Sequence, residues 1–183
     1  MTTTVAAPTT TTTWHIDPSH SLVELSVRHM MVSTVKGRFT SLQGRIVTVD
    51  GDPTLASVDA TIDAASIATG DANRDAHLRS ADFLDAEQFP SIMFTSKRIE
   101  GSPEEFTLVG DLTLHGVTRQ VNLDVTFNGQ GTNPYGKTVA GFSAETRLNR
   151  KDWGLNWNVA LEAGGVLVSD QIKVSIEVQA IRD

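Results

Sequence analysis

SLVELSVRH, residues 21–29, alternates without a break. Val23, Leu25, Val27 and His29 fall on one face, and Leu22, Glu24, Ser26 and Arg28 on the other. A period of two is the signature of a β-strand that buries one side. The same period recurs down the chain. Val58, Ala60 and Ile62 alternate with Ser57, Asp59, Thr61 and Asp63, and Leu108, Gly110, Leu112 and Leu114 alternate with Thr107, Val109, Asp111 and Thr113. Val121, Leu123, Val125 and Phe127 form a further run, as do Phe142, Ala144, Thr146 and Leu148. In the last run, about residues 171–178, Ile172, Val174, Ile176 and Val178 share a side. Ile92 and Phe94 open another strand directly after Pro90, a residue tolerated at a strand start because it need donate no ladder hydrogen bond.

Turn signals separate these runs. A tight Gln43-Gly44 turn is predicted between residues 39–42 and 45–49, Asp50-Gly51-Asp52-Pro53 marks the next reversal, and Gly116 another. A Gly, Asn and Pro rich connection is predicted over residues 128–136. Only residues 71–89 read as helical, with Leu78, Phe83 and Leu84 as inward contacts. Roughly eight strands with closely spaced turns and one helical insertion predict an all-β fold, an antiparallel sandwich or barrel, and closure removes the free edges. A barrel of about eight strands is either filled by its own side chains or holds one small ligand. Inward residues as light as Val23, Ala60, Gly110 and Ala144 favour an open interior, although Phe94 and Phe142 are large enough to oppose them.

The chain has 183 residues, 39% of them hydrophobic, enough for a single domain to bury its own core. A formal charge of -7 and a pI near 5.1 argue against nucleic acid or an anionic membrane surface as the main partner. There is no cysteine, hence no disulfide, thiolate nucleophile or soft-metal sulfur ligand. Residues 1–13, MTTTVAAPTTTTT, lack the charged start and apolar core of a secretory signal and read as a disordered Thr-rich tail before a domain at 14–183. A cytoplasmic protein is expected. No run approaches the roughly 18 consecutive apolar residues of a membrane span, so no stable membrane insertion is expected.

Four segments carry a family resemblance: HSLVELSVRHMMVSTVKGRF (residues 20–39), RDAHLRSADFLDAEQFPSIMFTS (74–96), GDLTLHGVTRQV (110–121) and NRKDWGL (149–155). In this order they resemble the YceI-like family over nearly the whole chain, from about Trp14 onward. The resemblance implies a single lipocalin-like antiparallel β-barrel whose elongated apolar bore holds a polyisoprenoid chain, as in prenyl quinones and their precursors, commonly in a homodimer. Several family members are exported to the periplasm; the lack of a signal here keeps the expectation cytoplasmic.

On that basis Val23, Leu25, Val27, Ala60, Ile62, Ile92, Phe94, Leu112, Phe142 and Ile176 are expected to line the ligand tunnel, although any sheet with one buried face shows the same alternation. His29 continues an inward face and is placed at the end of the bore, where it would hydrogen-bond a phenol, quinone or phosphate head; a histidine satisfied by a backbone carbonyl is the commoner use. Arg74, Asp75 and His77 are expected to form a structural network pinning the insertion over the barrel. Arg150 and Asp152 are read as an ion pair at the rim, with Trp153 and Trp157 at the mouth, between subunits or in the core. A metal site would require His29, His77 and His115 to converge, and no HxH, HxxxH or HExxH spacing supports it, so neither metal nor cofactor is expected. No G-x-S-x-G elbow is present, and Asp82, Asp85 and Glu87 read as solvated surface acids. The expected function is non-enzymatic binding, storage or transport of an amphiphilic isoprenoid lipid, with residues 71–89 as gate. The rivals are an enzyme acting on an isoprenoid or other apolar substrate with His29 or His77 as acid or base, and a stress-related interaction protein with a filled core.

Overall fold

In the computed structural model, which describes residues 9–183, the alternating runs become an up-and-down antiparallel meander. Its strands are β1 (Thr11–Ile16), β2 (Leu22–His29), β3 (Ser33–Phe39), β4 (Leu42–Val49), β5 (Asp52–Asp63), β6 (Ile67–Ala68), β7 (Ser91–Gly101), β8 (Glu105–Leu114), β9 (Val117–Thr132), β10 (Thr138–Asn149) and β11 (Val168–Arg182), with one α-helix, α1 (Ala72–Arg79).

Two pairs of these strands are halves of single bent staves. β1 and β2 both lie along β11, pairing Trp14 with Arg182 and Ile16 with Ala180, then Leu22 with Glu177 and Val27 with Ile172. The break between them is a 3-10 turn at Pro18–His20, capped by Asp17, whose carboxylate accepts the Ser19 amide at 3.0 Å. β3 and β4 are likewise one stave, bent at residues 40–41. Counted this way, eight staves close into a ring through the β1–β11 joint, as the alternation predicts.

Where local signals mislead, packing explains why. Gly44 does not turn the chain but lies inside β4; a β-carbon there would stand 2.5 Å from Ile16 Cδ1 and 2.8 Å from the Asp59 carbonyl oxygen. The chain does reverse where the sequence predicts at Asp50 (φ 51°) with Gly51 (φ 74°) and at His115 (φ 52°) with Gly116 (φ 71°), left-handed pairs suited to a two-residue hairpin. The predicted connection at 128–136 is mostly strand: β9 runs on to Thr132, with Asn128 as the extra residue of a bulge opposite β10. Residues 11–13, read as tail, begin β1 and pair with Val49, Thr48 and Val47; threonine is β-branched and suits a strand even where no apolar alternation announces it. Residues 1–8 lie outside the described residues.

The helix predicted over 71–89 stops at Arg79, and turns occupy most of 80–89. Leu78, Phe83 and Leu84 are spaced five and one residues apart, so no straight helix turns all three to one side. The break lets Phe83 pack with Trp153 and Val121, and Leu78 and Leu84 against the base of the barrel. The insertion is thereby a plug at one end. The ends of β5, β8 and β10 and the starts of β7, β9 and β11 meet it there, while the hairpins β4–β5, β7–β8 and β9–β10 ring the opposite, upper end.

Candidate functional site

An apolar cavity of about 280 Å³ runs inside the ring, and its exposed wall carries no polar surface. On β8 the wall reaches from Phe106 to Leu114, which at the usual antiparallel rise is about 27 Å along the strand. The space is therefore long and thin. Val23, Leu25, Ala60, Ile62, Ile92, Phe94, Leu112, Phe142 and Ile176 all stand on it, as their inward parity predicts. Ile46, Val58, Leu108, Leu123, Val174 and Val178 join them; they share the same parity and were legible by the same signal.

Val27 and His29 do not reach it. The outer edge of β3 pairs only with β6, at Arg38 with Ala68 and Phe39 with Ile67. Beyond that point the β2–β3 hairpin has no further stave facing it, so inward parity no longer means a place in the bore. Val27 sits between Ile172 and Val35, and His29 between Val168 and Ser33, off the cavity wall.

The closed end is built by residues from two segments. Leu84 comes from the insertion, and Arg150, Trp153 and Leu155 from the turn after β10. Trp153 is core, 2% exposed, and its Nε1 donates to the Leu112 carbonyl at 3.2 Å. Gly154, at φ 77°, provides the reversal that returns the chain across the base.

Arg150 is the one charged side chain on the cavity wall, and it is 4% exposed. Its Nη1 donates to the carbonyls of Leu155 at 2.7 Å and Trp157 at 2.8 Å, and its Nε to that of Ser169 at 3.0 Å. The five fixed donors of a guanidinium thus organise the irregular loop at 154–167. Its ionic partner is Asp170, 3.6 Å from Nη2, and not Asp152 as predicted; the other Asp170 oxygen meets Lys151 at 3.1 Å. Asp152 instead offers its backbone carbonyl to Arg119. Burial pushes the Arg150 guanidinium below its ordinary pKa, and the Asp170 carboxylate opposes that shift.

Arg74 and Asp75 meet at Thr69. Asp75 Oδ1 accepts from the Thr69 amide at 2.9 Å and hydroxyl at 2.6 Å, while Arg74 Nε donates to that hydroxyl at 2.7 Å and Nη2 to the Thr69 carbonyl at 3.1 Å. The Thr69 hydroxyl holds the Asp75 carboxyl below its ordinary range. Arg79, not singled out in the sequence, ties the helix to the Ala65 and Ile67 carbonyls at 2.7 and 2.9 Å. His77 joins the same plug differently: Nε2 is 2.8 Å from Asp82 Oδ2, and its ring stands edge-on to Phe83 and Trp157. His115 bonds the Trp153 carbonyl through Nδ1 at 3.1 Å, so the histidines do not converge. Among the described residues no group of three or more His, Asp or Glu side chains is placed to hold a metal ion.

A second recess, about 770 Å³, opens at the upper end, with Thr12, Trp14, Asp50, Gln130 and Arg182 on its walls. It meets the apolar cavity along Ile46, Thr48, Pro53 and Phe142, which line both.

An up-and-down ring of eight antiparallel staves around an apolar cavity, plugged at one end, is a lipocalin-like barrel of the ligand-enclosing kind. Residues 14–180 match the YceI-like domain model, and the chain belongs to that family. It is similar to a UPF0312 protein of Staphylococcus aureus (strain MSSA476), 40% identical over 167 residues that cover 88% of this chain and 93% of the relative. Among solved structures, the YCEI protein of Campylobacter jejuni is 31% identical, with a TM-score of 0.70 over 84% of this chain and 88% of that one. A polyisoprenoid binding domain from Saccharophagus degradans implicated in plant cell wall breakdown shares the fold at a TM-score of 0.69 and 14% identity, over 93% of this chain and 98% of that one. No helix among the described residues is long and apolar enough to cross a membrane.

Proposed function

We propose that this protein binds an isoprenoid lipid in its barrel and stores or carries it unchanged. The observation that carries this reading is the long, thin cavity whose surface is wholly apolar. A slender branched hydrocarbon suits that space better than a broad ring system does. Each buried methylene-sized group contributes about 0.8 kcal/mol, so a tail of several isoprene units needs no polar contact to be retained. The polyisoprenoid binding of the Saccharophagus degradans domain supports the same ligand class through shared fold.

In this reading the cargo is bound and not transformed. Arg150 is the one titratable group on the cavity wall, and its donors are committed to backbone carbonyls. The acid and base candidates His29 and His77 stand off the wall. Insertion residues 71–89, which supply Leu84 to the closed end, serve in this reading as the element whose loosening releases cargo. The cytoplasmic location and the homodimer belong to the same proposal.

The test is native mass spectrometry of gently purified protein, followed by organic extraction. A prenylated lipid at near one per subunit is the expected result. Protein that arrives empty and refuses added prenyl compounds would overturn the reading.

A further inference from the structure

We infer that the tip of the β2–β3 hairpin, Met30, Met31 and Val32, docks on a zwitterionic lipid surface, into which it dips reversibly without crossing. The docking stands on the surface features of this end of the barrel. Its use, passing cargo at the closed end, rests on the carrier reading above.

The first observation is an exposed apolar patch. Met31 is 61% and Val32 79% exposed, and Met30 is exposed beside them. Val159 and Val166 extend the patch, because the Met30 amide donates to the Leu167 carbonyl at 2.8 Å and the Leu167 amide to that of Val159 at 2.9 Å. Five of the eight large hydrophobic side chains exposed among the described residues therefore gather in one place. Gathered apolar surface marks an interaction site, whereas single exposed residues do not.

The second is the backbone at the tip. Met30 (φ 52°) and Met31 (φ 58°) both take the left-handed conformation, and the Val32 amide closes the turn on the His29 carbonyl at 3.1 Å. Asn-Gly is the pair that suits such a turn, and the reversals at Asp50-Gly51 and His115-Gly116 each place glycine second. Here two long thioether side chains hold a conformation that is unfavourable for them. The result is a pair of flexible, polarizable side chains aimed into solvent, of the kind that adapts to a soft surface.

Charge selects the partner. Residues 26–35 carry a single cation, Arg28, and no carboxylate, and residues 155–168 a single carboxylate, Glu162, in a chain that is 20% charged. Drying this end therefore takes few charges out of water. Arg28 lies two residues behind Met30, about 7 Å along the strand. Its guanidinium donates to the Met31 carbonyl at 2.8 Å and to the Thr34 hydroxyl at 3.2 Å. With the tip at the acyl boundary, that cation stands level with lipid phosphates. The net charge of -7 opposes long-range attraction to an anionic surface, so apolar burial drives the docking.

A protein partner fits less well. The patch exposes a few hundred Å², short of the roughly 800 Å² that each side contributes to a stable protein interface. Neither the barrel cavity nor the upper recess is lined by it, and a projecting tip offers a folded partner no pocket to fill. A fluid lipid surface needs none. Docking by this tip also turns the closed end toward the membrane. The loop beside it carries Trp157, whose ring meets His77 of α1 edge-on at 4.7 Å, so one loop joins the tip to the insertion at 71–89.

The test is flotation with phosphatidylcholine vesicles, with and without phosphatidylglycerol, at low and high salt. Wild-type protein is expected to float with pure phosphatidylcholine at both salt levels and no better with phosphatidylglycerol present. The double substitution Met30→Asn, Met31→Gly is expected to lower vesicle affinity roughly tenfold or more while the melting temperature holds or rises, because Asn-Gly suits the turn. Tyr135→Ser, at an exposed position on the opposite end, is expected to leave flotation unchanged. Wild type that stays in the aqueous fraction, a double variant that floats as well as wild type, or an equal loss in Tyr135→Ser would each overturn the inference. So would a wild-type dimer that the double substitution turns to monomer without any vesicle binding, which assigns the patch to a second copy. Specific docking by a protein that refuses prenyl compounds supports the inference and removes the carrier reading.

Discussion

The ring of Phe94 lies across Gly110 on the neighbouring strand, in the volume that a β-carbon at residue 110 would occupy. That β-carbon would also stand 2.6 Å from the Thr95 carbonyl oxygen. The two residues are diagonal neighbours, since Phe94 pairs with Leu112 and Ser96 with Gly110. The glycine therefore sets how far the aromatic ring can withdraw from the cavity. Gly110→Ala is expected to destabilise the barrel by about 1–3 kcal/mol in urea unfolding, with Gly110→Val worse. Unchanged stability in both would show that the ring does not rest there.

Ala60 and Val27 offer a matched comparison, because both lie on strand faces read as inward but only Ala60 stands on the cavity wall. Ala60→Trp is expected to reduce uptake of an environment-sensitive apolar dye by roughly tenfold or more, and Val27→Trp to leave it near wild type. Melting temperatures of both variants separate loss of space from loss of fold, since overpacking at residue 60 is expected to remove about 1–3 kcal/mol.

Arg150 is buried and holds the loop beneath the cavity, so Arg150→Met strands several carbonyls and leaves Asp170 without its buried partner. A loss of about 3–5 kcal/mol is expected by denaturant titration. Asp152→Asn is expected to change stability by less than about 0.5 kcal/mol, because the structure gives that carboxylate no ionic role. Equal effects from the two variants would restore the Arg150 to Asp152 pair.

Acid should loosen the junction between β1 and β2. The hydroxyl of Ser19, followed by the imidazole of His20, lowers the Asp17 pKa from 3.8 to about 2. Because the folded value lies below the unfolded one, the stabilisation is fully present above about pH 4 and disappears as pH falls through about 2. At this solvent-facing turn the contribution is expected to be about 1 kcal/mol. Thermal melts of wild type and Asp17→Asn should differ at pH 6 and converge near pH 2. A gap that persists at pH 2 would assign the effect to something other than the carboxylate charge.

Period two made the staves and most of the cavity wall legible, because in a closed barrel every inward residue of a strand faces the same interior. It said nothing about where a strand leaves the ring, which is why Val27 and His29 share the parity of Val23 and Leu25 without sharing their surroundings. Gly44 resembled a turn because a glycine's need for space can come from a chain far away in sequence, here Ile16 and the backbone of Asp59. Arg150 was paired with Asp152 by proximity along the chain, whereas its true partners are carbonyls of a loop with no periodicity to read. The Thr11–Thr13 run lacked any apolar residue to mark it as strand. The unpaired state of the Trp14 indole N–H among the described residues carried no signal in the sequence, since it becomes visible only once its neighbours are in place.

The joint between Trp14 and Arg182 has a consequence in time. Every other seam of the ring joins staves that are neighbours in sequence, and those hairpins can zip as soon as both arms exist. The β1–β11 seam links the two extremes of the described chain, so it must wait for β11 and carries the largest loop-closure entropy in the molecule. Until it forms, the β1–β2 stave and β11 both present bare edges, a state open to pairing with another chain. Closure of that seam is the step at which a sticky sheet becomes a sealed vessel, and it is expected to set the pace of folding.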